Sequence, residues 1–285
     1  MTSTPPPLPI SILILVKNEE EHLPQLLDTL AGFSDIVVFD SLSTDRTVEI
    51  ARERGCRVVE RAFTTWAEHQ NWAMENIDFE HPWVFYLDAD ERMTDAVREE
   101  IAAIATDPAD PPPHRAYYCA RDNMLFGRPL RRAMGGGLVM RFFQPPHIRF
   151  ARRVNPQPVL ETEPGYLKHR FIHHHFARGF QQWFEKHNQY ATWEAQEWID
   201  AVDATPVSFK ALFAGDRNTR IQAIKRISFH LPFRPLLKFL HMYVWKRGFM
   251  DGAAGFHCCA LMGVFEYMIG LRVREMRRRA AGEPV

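Results

Sequence analysis

Hydrophobic positions along this chain fall into two kinds of run. The first kind is short and nearly unbroken: Ile10-Ser-Ile-Leu-Ile-Leu-Val16, Asp35-Ile-Val-Val-Phe-Asp40, Cys56-Arg-Val-Val59 and Trp83-Val-Phe-Tyr-Leu87. Runs of this length, rich in β-branched and aromatic residues, predict strands buried on both faces, as in a parallel sheet. Between them apolar residues recur at helical spacing. Leu23, Leu26, Leu27 and Leu30 form one such set, with Pro24 tolerated in the first turn. Val48, Ile50 and Ala51 form another, opened by Ser43-Thr44-Asp45 and closed at Gly55. Trp66, Gln70, Trp72 and Ala73 form a third. A β-α-β-α-β-α-β series with short connections predicts a mainly parallel, Rossmann-like α/β sheet wound right-handedly, with helices on both faces. Ligands bind such sheets beyond the carboxyl ends of the strands. Three polar clusters stand there: Lys17-Asn18-Glu19, Asp40-Ser41 and Asp88-Ala89-Asp90.

The pattern changes after the loop Asp107-Pro-Ala-Asp-Pro-Pro-Pro113. Residues 115–175, with Gly135-Gly136-Gly137, mix strand-like pieces and turns that would finish the sheet and form the acceptor side. From about Arg178 the spacing of Trp183, Phe184, His187 and Tyr190, then Trp193 and Trp198, predicts helices. About four are expected, broken near Pro206, Pro232, Pro235 and Gly252-Ala-Ala-Gly255. The chain thus divides into a disordered tail (1–9), an α/β domain (10–176), a helical region (177–276) and a basic flexible tail (277–285).

Composition narrows the class. With 46% hydrophobic and 25% charged residues, the 285-residue chain is an ordinary globular protein rather than a disordered one. Lys+Arg and Asp+Glu are both 35, so no global field favours nucleic acid, which is not expected as a partner. Charge is uneven, since the last sixty or so residues carry Lys225, Arg226, Arg234, Lys238, Lys246, Arg247 and Arg277-Arg278-Arg279. Cys56, Cys119, Cys258 and Cys259 lack zinc-type spacing and read as free thiols in a reducing compartment. Met1 to Pro9 has no basic n-region, so no signal peptide is expected. No run of about 18 apolar residues occurs, so no spanning helix is expected either.

Asp88 and Asp90 carry the most chemistry. Two carboxylates one residue apart, just past an apolar strand, can reach one divalent cation directly or through water. Magnesium or manganese there would neutralise charge building on a leaving diphosphate. A bare Asp-x-Asp is common and mostly a solvated turn; the strand before it and the neighbouring strand-end clusters set this one apart. Asp40 stands where a base or ribose can be hydrogen-bonded, whereas helix capping explains Ser43 or Asp45. Lys17-Asn18-Glu19 is either a polar loop or a set of backbone amides and an Asn18 side chain turned to a nucleotide.

Taken together, Val16-Lys-Asn-Glu19, Asp40-Ser-Leu-Ser-Thr-Asp-Arg-Thr47, Gln70-Asn71 and Trp83-Val-Phe-Tyr-Leu-Asp-Ala-Asp-Glu91 stand in an order that resembles family-2 glycosyltransferases. Arg141-Phe-Phe143, Val154-Asn-Pro156, Glu185-Lys-His-Asn-Gln-Tyr190 and Arg247-Gly-Phe-Met-Asp-Gly252 extend the likeness over nearly all of residues 10–275. They resemble the branch of bacterial lipopolysaccharide-core β-glucosyltransferases and exopolysaccharide enzymes. The resemblance implies a GT-A fold with a helical C-terminal appendage, a nucleoside-diphosphate sugar donor and inversion at the anomeric carbon. It implies that Asn18 and Glu19 line the nucleotide pocket together with Lys17 and Ser43, and that Asp40 contacts the base. Asn71 would lie near the donor, Asp88 would hold ribose or metal-bound water, and Asp90 would be the metal ligand.

One departure from the family pattern concerns the base. Relatives carry a His-Glu pair where this chain has Asn155-Pro156. Direct displacement still needs a group to accept the acceptor hydroxyl's proton. Glu161 is the favoured candidate, with Glu163 and Glu91 behind it. In His173-His174-His175, successive strand residues face opposite ways, so the three cannot share one ion. His175 is the one placed at the donor phosphates and metal, and Arg141 is a further phosphate candidate. In the C-terminal helices, Phe229, Phe233, Leu236, Leu237, Phe239, Leu240, Tyr243, Val244 and Trp245 interleave with Arg234, Lys238, Lys246 and Arg247. That pattern suits an anionic membrane surface as well as an amphipathic helix packed on its own domain. The expectation is a cytoplasmic enzyme, peripheral on the inner face of the membrane, acting on a lipid-linked saccharide. A metal-dependent nucleotidyltransferase would show a Gly-rich, basic loop in place of Lys17-Asn-Glu-Glu20. A non-catalytic assembly partner is disfavoured by the intact Asp88 and Asp90.

Overall fold

The computed structural model describes residues 8–108, 112–135, 137–151, 156–204 and 233–285. Val154, Asn155, Gly136, Pro206, Lys225, Arg226, Phe229, Pro232 and most of the N-terminal tail lie outside them. The chain forms two compact units, Met1–Met124 with Gly136–Ala177, and Leu125–Gly135 with Arg178–Val285. The helical unit thus also takes in residues 125–135, beyond the single break expected near 176.

The first unit is built on β1 (Leu8–Val16), α1 (Leu23–Leu27), β2 (Phe33–Asp40), α2 (Thr47–Glu53), β3 (Arg57–Glu60), α3 (Trp66–Asn76), β4 (Trp83–Asp88), β5 (Glu91–Arg92) and α4 (Asp95–Ala105). β6 (Ala116–Leu125), β8 (Leu138–Phe143) and β11 (Gly165–His173) follow, β7 (Arg128–Pro129) falling in the other unit. The main sheet runs β3-β2-β1-β4-β8-β6-β11-β5. β3, β2, β1 and β4 are parallel neighbours; β8 is antiparallel to both β4 and β6, and β11 is parallel to β6. This is the α/β, GT-A-like arrangement expected, with more antiparallel pairing in its second half. β9 (Ile148–Ala151) and β10 (Gln157–Leu160) make a separate antiparallel ribbon.

Both faces of β1 are covered. Ile10, Ile12, Ile14 and Val16 pack with Leu23 and Leu26 of α1 and Val97 and Ile101 of α4. Leu13 and Leu15 pack on the other side with Ala67, Ala73 and Met74 of α3. Each such fully buried aliphatic side chain contributes about 1.5–3 kcal/mol, which is why the run carries no polar alternation. α2 closes as its sequence predicts. Gly55 takes a positive φ of 76°, and the Gly55 and Cys56 amides donate to Arg52 and Ala51 carbonyls at 3.0 Å each. All four cysteines are buried free thiols.

The second unit contains α5 (Gly179–Ala204), α6 (Arg234–Leu240), a π turn (His241–Trp245), a 3-10 turn (Gly248–Asp251) and α7 (Gly252–Ala280). Ala191 and Ala195 of α5 pack against Ile269 and Val273 of α7. One expectation needs correction here, that for the basic tail. The break expected near Gly252–Gly255 falls just before α7, which begins at Gly252, and Pro235 sits in the first turn of α6, where its missing N–H costs nothing. Arg277 to Arg279 form the last turn of α7 rather than a flexible tail, where cations suit the helix dipole and Arg279 pairs with Glu275 at 2.7 Å. The stretch Gly248–Ala280 is long and apolar enough to cross a membrane by length and composition only, a test that the core helix of a soluble protein also passes. It passes because Gly, Ala, Cys and Met hold charge out of the window without an unbroken run of large aliphatics.

Candidate functional site

The carboxyl ends of β1, β2 and β4 lie side by side. Val16 is in register with Asp40, and Leu15 with Asp88, so the two acids flank the β1 tip. Two strand spacings put their backbones roughly 10 Å apart.

The β1 and β2 tips are stitched together by their own side chains. Asn18 takes a positive φ of 53°, a conformation Asn adopts more readily than most residues. Its amide donates to Ser43 Oγ at 2.8 Å, and its Oδ1 accepts the Thr44 amide at 2.8 Å. Lys17 Nζ donates to the Ser41 carbonyl at 2.9 Å and to that of Leu42. The Glu19 amide donates to Thr47 Oγ1 at 2.7 Å. Asp40 is fully buried and accepts the Ser43 amide at 2.7 Å together with the Ser43 hydroxyl. The loop itself therefore accounts for Asp40, which capping had been expected not to explain. Asn71 is likewise engaged: its side-chain amide exchanges two bonds with the Phe150 backbone, at 2.9 and 2.8 Å, fastening β9 to α3.

Asp88 closes β4, and its side chain shares a face with Tyr86 two residues earlier. Tyr86 Oη donates to Asp88 Oδ1 at 2.7 Å, and Arg141 Nη2 donates to Asp88 Oδ2 at 2.7 Å. Arg141, on β8, also bonds Glu91 Oε1 at 2.6 Å and lies 4.2 Å over the Tyr86 ring. Burial acts to lower the Arg141 pKa, but Glu91 and Asp88 hold it well above the usual value. At 4% exposure Arg141 is an internal counter-ion. Its Nη2 is turned to these two carboxylates. An arginine alone in the apolar strand Leu-Val-Met-Arg-Phe-Phe is the signal that it needed a buried partner.

Glu91 is fully buried, with Oε2 accepting the Asp88 amide at 3.0 Å. Burial raises its carboxyl to about 7, with Arg141 opposing and Asp88 adding. A general base must reach the proton it removes, and a carboxylate sealed beneath Asp88 and Arg141 does not; Glu91 is an anchor. Glu161 follows β10 on the separate ribbon, three-quarters exposed, 3.4 Å from His147 Nδ1. The structure thus brings Glu91 to Asp88 and leaves Glu161 on another sheet. The Glu163 carbonyl stands 2.9 Å from His114 Nδ1.

Asp90 leaves the strand in the turn before β5. β5 pairs with the end of β11, setting His173 opposite Glu91. His173 Nε2 lies 3.4 Å from Asp90 Oδ2, and its Nδ1 lies 2.7 Å from Asn123 Oδ1. The Asp90 carbonyl accepts the His174 amide at 2.8 Å. Burial pushes the Asp90 pKa up, but the bond and charge of His173, together with Arg141 and His175, outweigh it, and the carboxyl ends below its ordinary value. About a third of the side chain is exposed. His175, expected at the metal, packs edge-on against the His173 ring at 5.3 Å, and its charge also acts on Asp90. Tyr86, Asn123 and His173 were not singled out as partners. The period-2 spacing of Tyr86 and Asp88 was the readable clue; the other two depend on long-range strand pairing.

A divalent cation can be tested against these groups. Among the described residues no three His, Cys, Asp or Glu side chains converge as a metal cage. An ionised, part-exposed carboxylate does fit magnesium or manganese, which take one or two carboxylates, waters and phosphate oxygens.

The family model for Glycosyl transferase family 2 matches residues 11–187. Among curated proteins, the lipopolysaccharide core biosynthesis glycosyltransferase LpsC of Rhizobium meliloti is 34% identical over 99 residues, 33% of this chain and 36% of that protein. An uncharacterized glycosyltransferase of Rickettsia typhi is 31% identical over 96 residues, 33% of this chain and 32% of that one. The chain spans about a third of the length of these curated relatives. Among solved structures, glucosyl-3-phosphoglycerate synthase from Mycobacterium tuberculosis is 20% identical, covering 48% of this chain and 57% of that one at a TM-score of 0.36. S. aureus TarS is 14% identical, covering 88% and 90% at a TM-score of 0.41.

Proposed function

The chain belongs to glycosyl transferase family 2, and from that premise we propose that it moves a sugar, with inversion, from a nucleoside-diphosphate donor to a lipid-linked or lipid-anchored saccharide. The reaction class is bacterial cell-surface polysaccharide or lipopolysaccharide synthesis, carried out in the cytoplasm at the inner face of the membrane. The name of the Rhizobium meliloti relative supports that acceptor class. The observation that carries the reading is the division of labour at the β4 tip: Asp88 is held rigidly by Tyr86 and Arg141, while Asp90 keeps an ionised, part-exposed carboxylate beside it.

Asp90 would hold the cation, with Asp88 reaching it through water and His175 lying close by. When bound, magnesium or manganese supplies charge neutralisation for the departing diphosphate. The stitched loops after β1 and β2 offer the nucleoside a preformed wall from Lys17, Asn18, Glu19, Asp40 and Ser43, with no ordering cost on binding. Asn71 acts through the placement of β9. Glu161, exposed on its ribbon, accepts the acceptor hydroxyl's proton, with His147 at hand to orient it.

A panel of nucleotide sugars, screened by thermal shift with magnesium or manganese, tests the reading. A donor at a hundred times its Kd stabilises by about 2.7 kcal/mol. Slow donor hydrolysis should accompany the shift, and Asp90→Asn should remove both. If no nucleotide sugar raises the melting temperature or is hydrolysed with either metal, the assignment fails.

A further inference from the structure

We propose that the tip of the α6–α7 hairpin is an anchor that docks on an anionic lipid surface. The inference deepens the transferase reading by naming the part of the chain that meets the bilayer. It is argued from the second unit alone.

The hairpin is closed by glycine. A Cβ on Gly255 would stand 2.0 Å from the Gly248 carbonyl oxygen, and one on Gly248 would stand 2.7 Å from that of Met242. Farther along, Gly263 faces the Pro235 carbonyl, with a built Cβ at 3.2 Å. Asp251 pins the bend from inside, accepting the Arg132 and Ala133 amides at 2.8 Å each. The chain therefore turns back sharply, and the turn pushes its side chains outward. Trp245 is 81% exposed, Met250 56% and Phe249 51%, with Lys246 and Arg247 exposed between them. Leu236, Leu240 and Val244 continue the exposed apolar strip along α6.

Charge selects the occupant. Residues 233–250 carry Arg234, Lys238, Lys246 and Arg247 and no acid. Glu266 takes Arg234 at 2.8 Å and Lys238 at 3.9 Å inside the hairpin, so the cationic character of the tip comes from Lys246 and Arg247. A tryptophan beside two cations, with apolar side chains on both flanks, matches the headgroup layer, where rings sit among the acyl ends and cations reach phosphates. Two copies of this tip placed face to face would oppose like charges, which disfavours a second copy of the chain as the cover. Insertion of α7 across the bilayer would strip Cys258, Cys259 and Gly263 from the packing that buries them.

The test is flotation of the full-length protein, without donor, on two kinds of vesicle. One is phosphatidylcholine alone, the other phosphatidylcholine mixed equally with phosphatidylglycerol. The protein should float with the mixed vesicles only and be released by salt. Lys246→Ala and Arg247→Ala should each weaken partition about fivefold. Trp245→Ala should abolish flotation while circular dichroism and solution donor hydrolysis stay as in the parent. Should that variant misfold, brominated lipid quenching of the native protein, lost in Trp245→Phe, gives the same reading. Equal flotation on both vesicles, or partition unaffected by the lysine and arginine changes, overturns the proposal. So does resistance to alkaline extraction, which would mean a spanning α7. So does a dimer split by Trp245→Ala with no vesicle binding, which would mean a protein cover. Hydrolysis measured without lipid keeps failure of this proposal distinct from failure of the transferase reading.

Discussion

Replacing Arg141 with methionine keeps most of the side-chain volume and removes the charge that holds the β4 tip together. In the parent, one guanidinium serves Asp88 at 2.7 Å and Glu91 at 2.6 Å, with Glu91 fully buried. Taking the cation away leaves an uncompensated buried carboxylate, and breaking such pairs costs about 3–5 kcal/mol. That is a large share of the roughly 5–15 kcal/mol that holds a domain folded. The loss should depend on pH. The Glu91 carboxyl, already raised to about 7 with Arg141 present, must rise further without it. A folded-state pKa above the unfolded value means that the folded form binds more protons, so acidification favours folding until the unfolded carboxyl also titrates. Each unit of separation is worth about 1.4 kcal/mol, so the penalty should shrink between neutral pH and about pH 5. Urea unfolding followed by tryptophan fluorescence at both pH values reads this directly, and Glu91→Gln added to Arg141→Met should recover part of the loss. A variant within about 1 kcal/mol of the parent that had nonetheless lost donor affinity would refute the reasoning. Arg141 would then be a phosphate ligand after all.

Asn71→Ala should cost about 1–3 kcal/mol by leaving the Phe150 backbone unpaired, seen as faster hydrogen exchange at the Phe150 amide. Lost donor affinity without lost stability would make Asn71 a ligand instead. His69, buried against Phe39 at 4.1 Å, has its pKa lowered to about 4 by burial and then by Arg61, from an ordinary 6.5. Its contribution is fully present above 6.5 and is lost as pH falls through 4, up to about 3 kcal/mol. His69→Gln should therefore lose less stability than the parent across that window in pH-dependent denaturation. Gly255→Ala should destabilise the helical hairpin by about 1–3 kcal/mol or more through overpacking on Gly248, with faster exchange confined to residues around the bend.

The first four strands are legible because burial on both faces leaves an unbroken apolar run, and their starts and ends fall within about two residues of the observed ones. Everything that depends on pairing at long sequence separation is harder to read. β5 is two residues long and has no periodicity of its own; it exists because β11 comes back beside it. That pairing sets His173 beside Asp90, a contact no local pattern in three successive histidines encodes. Arg141 was visible as a site residue, but its direction depended on which strands flank β8. The same holds for Asn71, whose partner lies 79 positions away on a ribbon. α7 is hard to read for a different reason. An apolar helix built from small residues has the length and composition of a span without the uninterrupted large side chains that draw attention in a sequence.

The Asp-Ala-Asp spacing by itself suggests two equivalent carboxylates, since residues two apart on a strand face the same way. The strand ends at Asp88, however, and Asp90 falls in the turn that follows. The two acids therefore enter different environments. Asp88 stays on the sheet face, where Tyr86 and Arg141 occupy its oxygens and fix its rotamer. Asp90 is turned to the end of β11, where His173 favours its ionised form and solvent still reaches it. The carboxyls of Asp88, Glu91 and Asp90 stand among the guanidiniums of Arg141, Arg92 and, at 4.0 Å from Glu91, Arg121. Arg141 bonds both Asp88 and Glu91, whereas the Asp90 carboxyl, held below its ordinary pKa, lies at the exposed edge of the group. A rigid, internally balanced base under an exposed anionic group is what a site needs if a cation and a diphosphate are to arrive together and leave together. The ligand is held by one part while the other keeps its geometry whether the site is filled or empty.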